Sequence, residues 1–355
     1  MNNQRETVIT LIRQNLEPIA PYLDDNSVTD IHINRHDTIF VSRQGKVERV
    51  SATISESSLS RLIILLGKKV GKDVKPSSVD GIIDCQFEAL RVAAILAPTA
   101  VRGDCLCIRR KSNDVFPLDS YVASGRFDPM DPEGTVRETL AVEPRHSEVA
   151  KGGAALASWL KWAVATRQNF LVGGATGSGK TALMNSLLSE MDPKTRVITV
   201  EDTHELVITL PNVVHLESNL QAGVTARMCV MACLRMNPER IIMGEIRGPE
   251  AFDLMRAVNS GHRGSFATLH ANSASDVPTA LEKMIQTAGI DWPLASIRSD
   301  IARAFPYIIF AEQRANRSGV VSEVVKLDGI DEATGRYNVS PIFERKQYES
   351  FSIAA

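Results

Sequence analysis

Residues 169–181, NFLVGGATGSGKT, constrain the fold of this chain more than any other stretch. The short run from Asn169 to Val172 has β character and breaks into Gly173 and Gly174. From there Gly174, Ala175, Thr176, Gly177, Ser178, Gly179, Lys180 and Thr181 meet every specified position of the pattern G-x-x-x-x-G-K-[ST]. A helix is expected over Thr181 to Glu190. The glycines let the backbone turn its N–H groups inward around a di- or triphosphate, and the helix aims its positive end at the same anion. Lys180 is placed to reach the β- and γ-phosphates, and the Thr181 hydroxyl to ligate Mg²⁺. The plain alternative is a glycine-rich turn with an incidental lysine, but strand before and helix after are what a phosphate loop requires.

The chain has 355 residues, which suits two domains, each able to bury its own core. Its 42 acidic and 40 basic residues leave a formal charge of −2. That balance argues against a strongly basic DNA-wrapping surface, so direct nucleic-acid binding is not expected. The N-terminus, MNNQRETVITLIRQNL, carries charges throughout and has no apolar core followed by a small-residue cleavage site, so no signal peptide is expected. No apolar run approaches membrane-spanning length. A cytoplasmic protein is expected, with any membrane association peripheral and through partners. Neither Cys105 with Cys107 nor Cys229 with Cys233 has metal-site spacing, and buried reduced thiols are the expectation.

Apolar residues recur at helical spacing over 6–23, ending near Pro18 and Pro21. Segments 29–34, 38–42 and 45–50 then read as an antiparallel meander, 58–70 as a Leu/Ile-rich helix, and 81–96 with 104–111 as further strands. Residues 1–125 are therefore an α+β domain. Prolines, glycines and charges punctuate 126–152, which reads as a linker. From 153 to 355 helix and strand alternate: helices at 154–166, 225–236, 249–258 and 275–288, and strands at 196–201, 212–216, 240–245 and 264–270. That rhythm predicts a mainly parallel sheet covered on both faces. The strand-rich segments 307–311, 320–330 and 336–344 suggest an antiparallel extension closing one edge.

A nucleoside triphosphatase also needs an acidic group at the end of a neighbouring apolar strand. The run RIIMGE, 240–245, supplies Glu245 but has Gly244 where an aspartate is usual. Another carboxylate must then serve Mg²⁺, and the strand ending at Glu201 offers Glu201, Asp202 and Glu205. Taken alone they are an ordinary solvated acidic turn; their place in the strand after the phosphate-loop helix makes them candidates. His262 and His270 flank the strand that follows.

GATGSGKT, VITVEDTHEL, CLRMNPERIIMGEIRGPEA and SGHRGSFATLHANS stand in the order and approximate spacing of the Walker A, Asp box, Walker B and His box of the type II/IV secretion ATPases, which this chain resembles. Glycine before the Walker B glutamate is how that family looks. The resemblance extends to VTDIHIN (28–34), RVAAILAP (91–98) and CIRRK (107–111). The compact length and the absence of C-x-x-C pairs look most like the hexameric traffic ATPases of type IV secretion and conjugation. The resemblance implies an α/β protein in which a PAS-like N-terminal α+β domain precedes a RecA-like P-loop ATPase domain.

It also implies ATP and Mg²⁺ as cofactors, a homohexameric ring, and inner-membrane secretion-channel and pilus components as partners at the cytoplasmic face of the inner membrane. Lys180 and Thr181 would bind phosphates and Mg²⁺, Glu245 would orient or deprotonate water, and Glu201, Asp202 and Glu205 would wall the metal. His270 would sense the γ-phosphate. Arg109 and Arg110 are the arginines expected to swing from the N-terminal domain onto phosphate, with a second interdomain arginine at Arg126 or Arg137. The rivals are a pilus or type II secretion motor on the same fold, a DNA-translocating RecA-like motor, and a non-hydrolysing nucleotide switch.

Overall fold

The structure, a computed structural model, describes residues 2–43, 45–76, 78–111, 117–125, 127, 142–314 and 319–345. Most of the expected linker, with Arg126 and Arg137, lies outside the described residues. The chain divides into two compact units. The first is Met1–Val142 with Asn219–Val224 and Arg235–Asn237; the second is Glu143–Ser218, Thr225–Leu234 and Pro238–Ala355.

In the first unit, helices α1 (Asn2–Leu16) and α2 (Ala20–Asp24) are separated by a 3-10 turn, Glu17–Ile19, where one helix over 6–23 was expected. Pro18 and Pro21 lack the N–H that a continuous ladder needs, and each sits instead in the first turn of its own element. Strands β1 (Val28–Arg35), β2 (Thr38–Arg43) and β3 (Lys46–Val50) form the meander, followed by α3 (Glu56–Lys69), β4 (Ile82–Phe87), β5 (Leu90–Ile95), β6 (Cys105–Arg110) and α4 (Leu118–Ala123). Among the described residues these strands make one antiparallel sheet in the order β3-β2-β1-β6-β5-β4. Its apolar face follows the two-residue period: Ile31 and Ile33, Ile39 and Val41, Ile83, Val92, Leu106 and Ile108 are all buried. They share a core with Ile12 and Leu16 of α1 and Leu59, Leu62, Ile63 and Leu66 of α3.

The second unit begins with α5 (His146–Val149) and α6 (Gly153–Ala165). It continues through β7 (Phe170–Gly174), α7 (Lys180–Leu188), β8 (Val197–Glu201), β9 (Val213–Glu217), α8 (Ala226–Cys233) and β10 (Arg240–Met243). Helix α9 (Glu250–Asn259), β11 (Phe266–Leu269), α10 (Asp276–Gln286), α11 (Leu294–Ala304), β12 (Tyr307–Gln313), β13 (Gly319–Ile330) and β14 (Tyr337–Glu344) complete it. The sheet order among the described residues is β14-β13-β12-β7-β11-β10-β8-β9. All neighbours from β12 to β9 are parallel; β13 and β14 are antiparallel. This mainly parallel sheet with an antiparallel edge is the architecture that the alternation of helix and strand predicts.

Two details depart from the sequence reading. Strand β12 joins the parallel block beside β7, because α11, which the periodicity did not single out, supplies the crossover a parallel strand needs. Helix α8 stops at Cys233, short of 236, since Arg235–Asn237 pack within the first unit. All five cysteines are buried and outside any disulfide among the described residues, as expected.

The first residues of the second unit are tied down by one carboxylate. Glu143 Oε1 accepts from the Tyr307 hydroxyl at 3.1 Å and the Trp159 indole N–H at 3.4 Å, and lies 2.9 Å from His146 Nε2. Burial pushes the Glu143 carboxyl up, but the His146, Trp159 and Tyr307 contacts outweigh it and hold the group below its ordinary value of 4.5. A depressed folded-state value means the stabilisation is complete above the ordinary value and is lost as pH falls below it. Glu143→Gln is therefore expected to lower stability by about 1 kcal/mol at pH 7 and to match the wild type in acid, where Glu143 is itself neutral. Thermal melts of both proteins across that pH range check this; equal melts at pH 7 would contradict it.

Candidate functional site

Strands β7, β11, β10 and β8 are parallel and in register, with Leu269 opposite Gly173, Ala267 opposite Met243, and Met243 opposite Val200. Their carboxyl ends, where parallel sheets bind ligands, therefore come together. The chain leaves β7 into the glycine loop, β8 ends at Glu201, β10 delivers Gly244 and Glu245, and β11 delivers His270. Between them lies a cavity of about 470 Å³, lined wholly by second-unit residues.

The loop has the geometry of a phosphate cradle. Gly177 and Gly179 have φ of +76° and +89°, and Gly179 precedes the first residue of α7 in the left-handed region. A Cβ at Gly174 would stand 2.3 Å from the Ala311 carbonyl oxygen. Lys180 is 9% exposed, and its Nζ donates to the carbonyls of Gly174 and Ala175, both at 2.9 Å. Burial holds the ammonium below its usual value, opposed by the charge of Glu245. Buried Ser178 Oγ has no hydrogen-bond partner among the described residues. Glycines in the left-handed region, a lysine hydrogen-bonded to loop carbonyls and a hydroxyl without a partner among the described residues fit a polyphosphate.

The expected residues are brought together here, but their roles divide. Glu201 is 4% exposed. Its Oε1 accepts from the backbone N–H of Glu205 at 2.9 Å and of Leu206 at 2.8 Å, while Oε2 faces His204 Nδ1 at 3.0 Å. This carboxylate organises its own turn. A Cβ on Gly244 would lie 3.0 Å from Glu201 Cγ, so a side chain at 244 would require Glu201 to shift.

Glu201, His204 and His215 have ligand-type atoms within 4.8 Å of one another, a donor set with two imidazoles that suits Mg²⁺ poorly. The Thr181 hydroxyl and the carboxylates of Asp202 and Glu205, all on the cavity wall, are hard oxygen donors of the kind that fits Mg²⁺. Asp202 Oδ1 accepts from Ser218 Oγ at 2.7 Å.

Glu245 is gripped at both oxygens. Arg247 donates to Oε2 at 2.7 Å, and His270 Nε2 lies 2.9 Å from Oε1 without hydrogen-bond alignment. Burial pushes the Glu245 carboxyl up, but Arg247, helped by His270 and Lys180, holds it below its usual value. Arg247 received no role in the sequence reading, although it stands two residues after Glu245. The signal was a cation beside the Walker B acid, and only the fold shows that it turns into the cavity.

Arg109 and Arg110 lie in the first unit, on β6. Arg109 Nε donates to Asp30 at 2.7 Å and its NH2 to Asn237 Oδ1 at 2.5 Å. The Arg110 guanidinium is bound by the carbonyls of Leu23, Val28 and Asp25.

If Glu201 organises the turn, Glu201→Ala orphans two backbone N–H groups and should cost about 3 kcal/mol, lowering the melting temperature by several degrees. An unchanged melt with altered Mg²⁺ dependence would instead make Glu201 a metal ligand.

Residues 146–314 match the family model described as "Type II/IV secretion system protein". VirB11 of the Brucella suis type IV secretion system is 30% identical over 334 residues, covering 91% of this chain and 87% of that protein. A Mycobacterium tuberculosis protein, provisionally named for conjugal transfer, is 30% identical over 350 residues, covering 95% of this chain and 90% of its own length. The crystal structure of Brucella suis VirB11 ATPase in complex with sulphate superposes with a TM-score of 0.81 at 28% identity, over 91% of this chain and 96% of that one.

Proposed function

The chain belongs to the type II/IV secretion ATPase family, and from that premise we propose that it is the hexameric motor that powers substrate export and pilus assembly in a type IV secretion or conjugation system. It is a nucleotide-binding ATP hydrolase of the VirB11 type. The observation that carries the mechanistic reading is the single cavity that holds Lys180, Thr181 and Glu245 together.

In this reading the N–H groups of the glycine loop and Lys180 hold the phosphates. Thr181, Asp202 and Glu205 hold Mg²⁺, which offsets phosphate charge when bound. Glu245 orients a water and takes its proton, His270 senses the terminal phosphate through its contact with Glu245, and Glu201 keeps the acidic turn in shape. Arg109 and Arg110 are proposed as the phosphate-contacting arginines that the family draws from its N-terminal domain. That role requires each guanidinium to exchange its present partners for phosphate oxygens. No helix among the described residues is long and apolar enough to cross a membrane, which agrees with attachment through inner-membrane channel and pilus components.

Lys180→Ala should abolish nucleotide binding. Glu245→Gln should bind ATP normally and turn over about 10²–10⁴-fold more slowly. Phosphate-release kinetics and nucleotide titrations check this pair; full turnover in Glu245→Gln would remove Glu245 from water activation. The ring is tested separately by light scattering of the eluting protein with and without ATP, where a strict monomer under both conditions would contradict it.

A further inference from the structure

We propose that Arg247 is an arginine switch supplied by the site's own chain: at rest it bridges Asp202 and Glu245, and when nucleotide binds it moves onto the terminal phosphate. The proposal rests on the reading of Glu245 as the water-activating group. Arg247 lines the same cavity as the phosphate loop. One guanidinium nitrogen lies 3.2 Å from Asp202 Oδ2, and the other donates to Glu245 Oε2 at 2.7 Å. The guanidinium thus occupies both an acid assigned to the metal and the acid assigned to water.

The backbone that carries Arg247 is pinned. Ile246 N–H donates to the Thr268 carbonyl at 2.8 Å, and the N–H groups of Arg247 and Gly248 both donate to Glu250 Oε1 at 2.7 Å. Glu250 is itself only 6% exposed. The side chain, by contrast, is 63% exposed. A fixed root with a solvated, rotatable arm suits a group that changes partners.

Charge supplies the reason to change. Four carboxylates line the cavity, Glu201, Asp202, Glu205 and Glu245, against Lys180, Arg247 and the imidazole of His270. Exposed ion pairs such as those of Arg247 are worth about 0–1 kcal/mol, so leaving them costs little. A guanidinium on a multiply charged phosphate makes stronger, charge-assisted bonds, and two of its N–H groups can lie along two phosphoryl oxygens. Asp202, engaged on Mg²⁺ when that ion is bound, would no longer hold the guanidinium, and Arg247 would leave Glu245 for the phosphate. Glu245 is then released as a better proton acceptor. In the hydrolytic step the water oxygen bonds to the γ-phosphorus, the bond from that phosphorus to the β,γ-bridging oxygen breaks, and ADP leaves. The water proton passes to Glu245, and Lys180 and Arg247 meet the charge on the phosphoryl oxygens.

The test uses the full chain with Arg247→Gln and Arg247→Lys. Steady-state kinetics with Mg-ATP, the affinity for Mg-ADP, melts, and trapping of ADP with aluminium fluoride are measured. Arg247→Gln should lower kcat about 100-fold or more and lose trapping, while the ADP affinity stays within about twofold and the melt is unchanged. Arg247→Lys, which keeps the charge without the fork, should recover part of kcat. Turnover by Arg247→Gln within about threefold of wild type, or an ADP affinity that falls as far as kcat, would overturn the proposal. Failure of the underlying reading shows elsewhere, as undiminished turnover in Glu245→Gln with Arg247 intact.

Discussion

The register of the parallel strands is the constraint on which the rest of the second unit depends. A shift of one residue would send every side chain of a strand to its opposite face and separate the strand ends. With Leu269 opposite Gly173 and Met243 opposite Val200, the phosphate loop, the turn after Glu201, the Gly244-Glu245 pair and His270 all leave the sheet at one edge. Phe170 and Phe266 help hold that register: they are cross-strand partners, fully buried and stacked at 4.4 Å. Burying rings of this size is worth about 2–3 kcal/mol each, so the alignment is anchored by packing in the sheet's core, away from the polar groups that do the chemistry.

The acidic groups at that edge perform different tasks although they look alike as a string of letters. Glu201 spends its hydrogen-bonding capacity on its own turn and on His204. Its side chain also packs close beside Gly244, at the position where an aspartate is usual. Asp202 and Glu205 remain as hard oxygen donors on the wall, and Glu245 is held between Arg247 and His270. One turn and one strand end thereby separate the structural role of Glu201 from the metal-binding and water-activating roles proposed for Asp202, Glu205 and Glu245.

What the sequence made legible follows from how locally each feature is encoded. The phosphate loop, the alternation of helix and strand, and the strand segments of the first unit were readable because a glycine pattern or an apolar period carries each of them over a few residues. The break at Pro18 and Pro21, the crossover by α11 and the early end of α8 were not, because they depend on where the chain must go next. The same divide runs through the site. Lys180, Thr181, Glu245 and His270 stood out by motif. The engagement of Arg109 by Asp30 and Asn237 joins residues far apart in the chain, and the burial of Glu201 and the turn of Arg247 into the cavity depend on the sheet around them, so no local pattern announces them.

The most direct test of the central claim, that these four strand ends form one hydrolytic centre, is a structure of the full chain with Mg²⁺, ADP and aluminium fluoride. The β-phosphate is expected within hydrogen-bond reach of the loop N–H groups, Mg²⁺ on the Thr181 hydroxyl, and the fluoroaluminate between Lys180 and Glu245 with a water in line on the Glu245 carboxylate. A nucleotide whose fluoroaluminate lies out of reach of Glu245, with no water on that carboxylate, would contradict it.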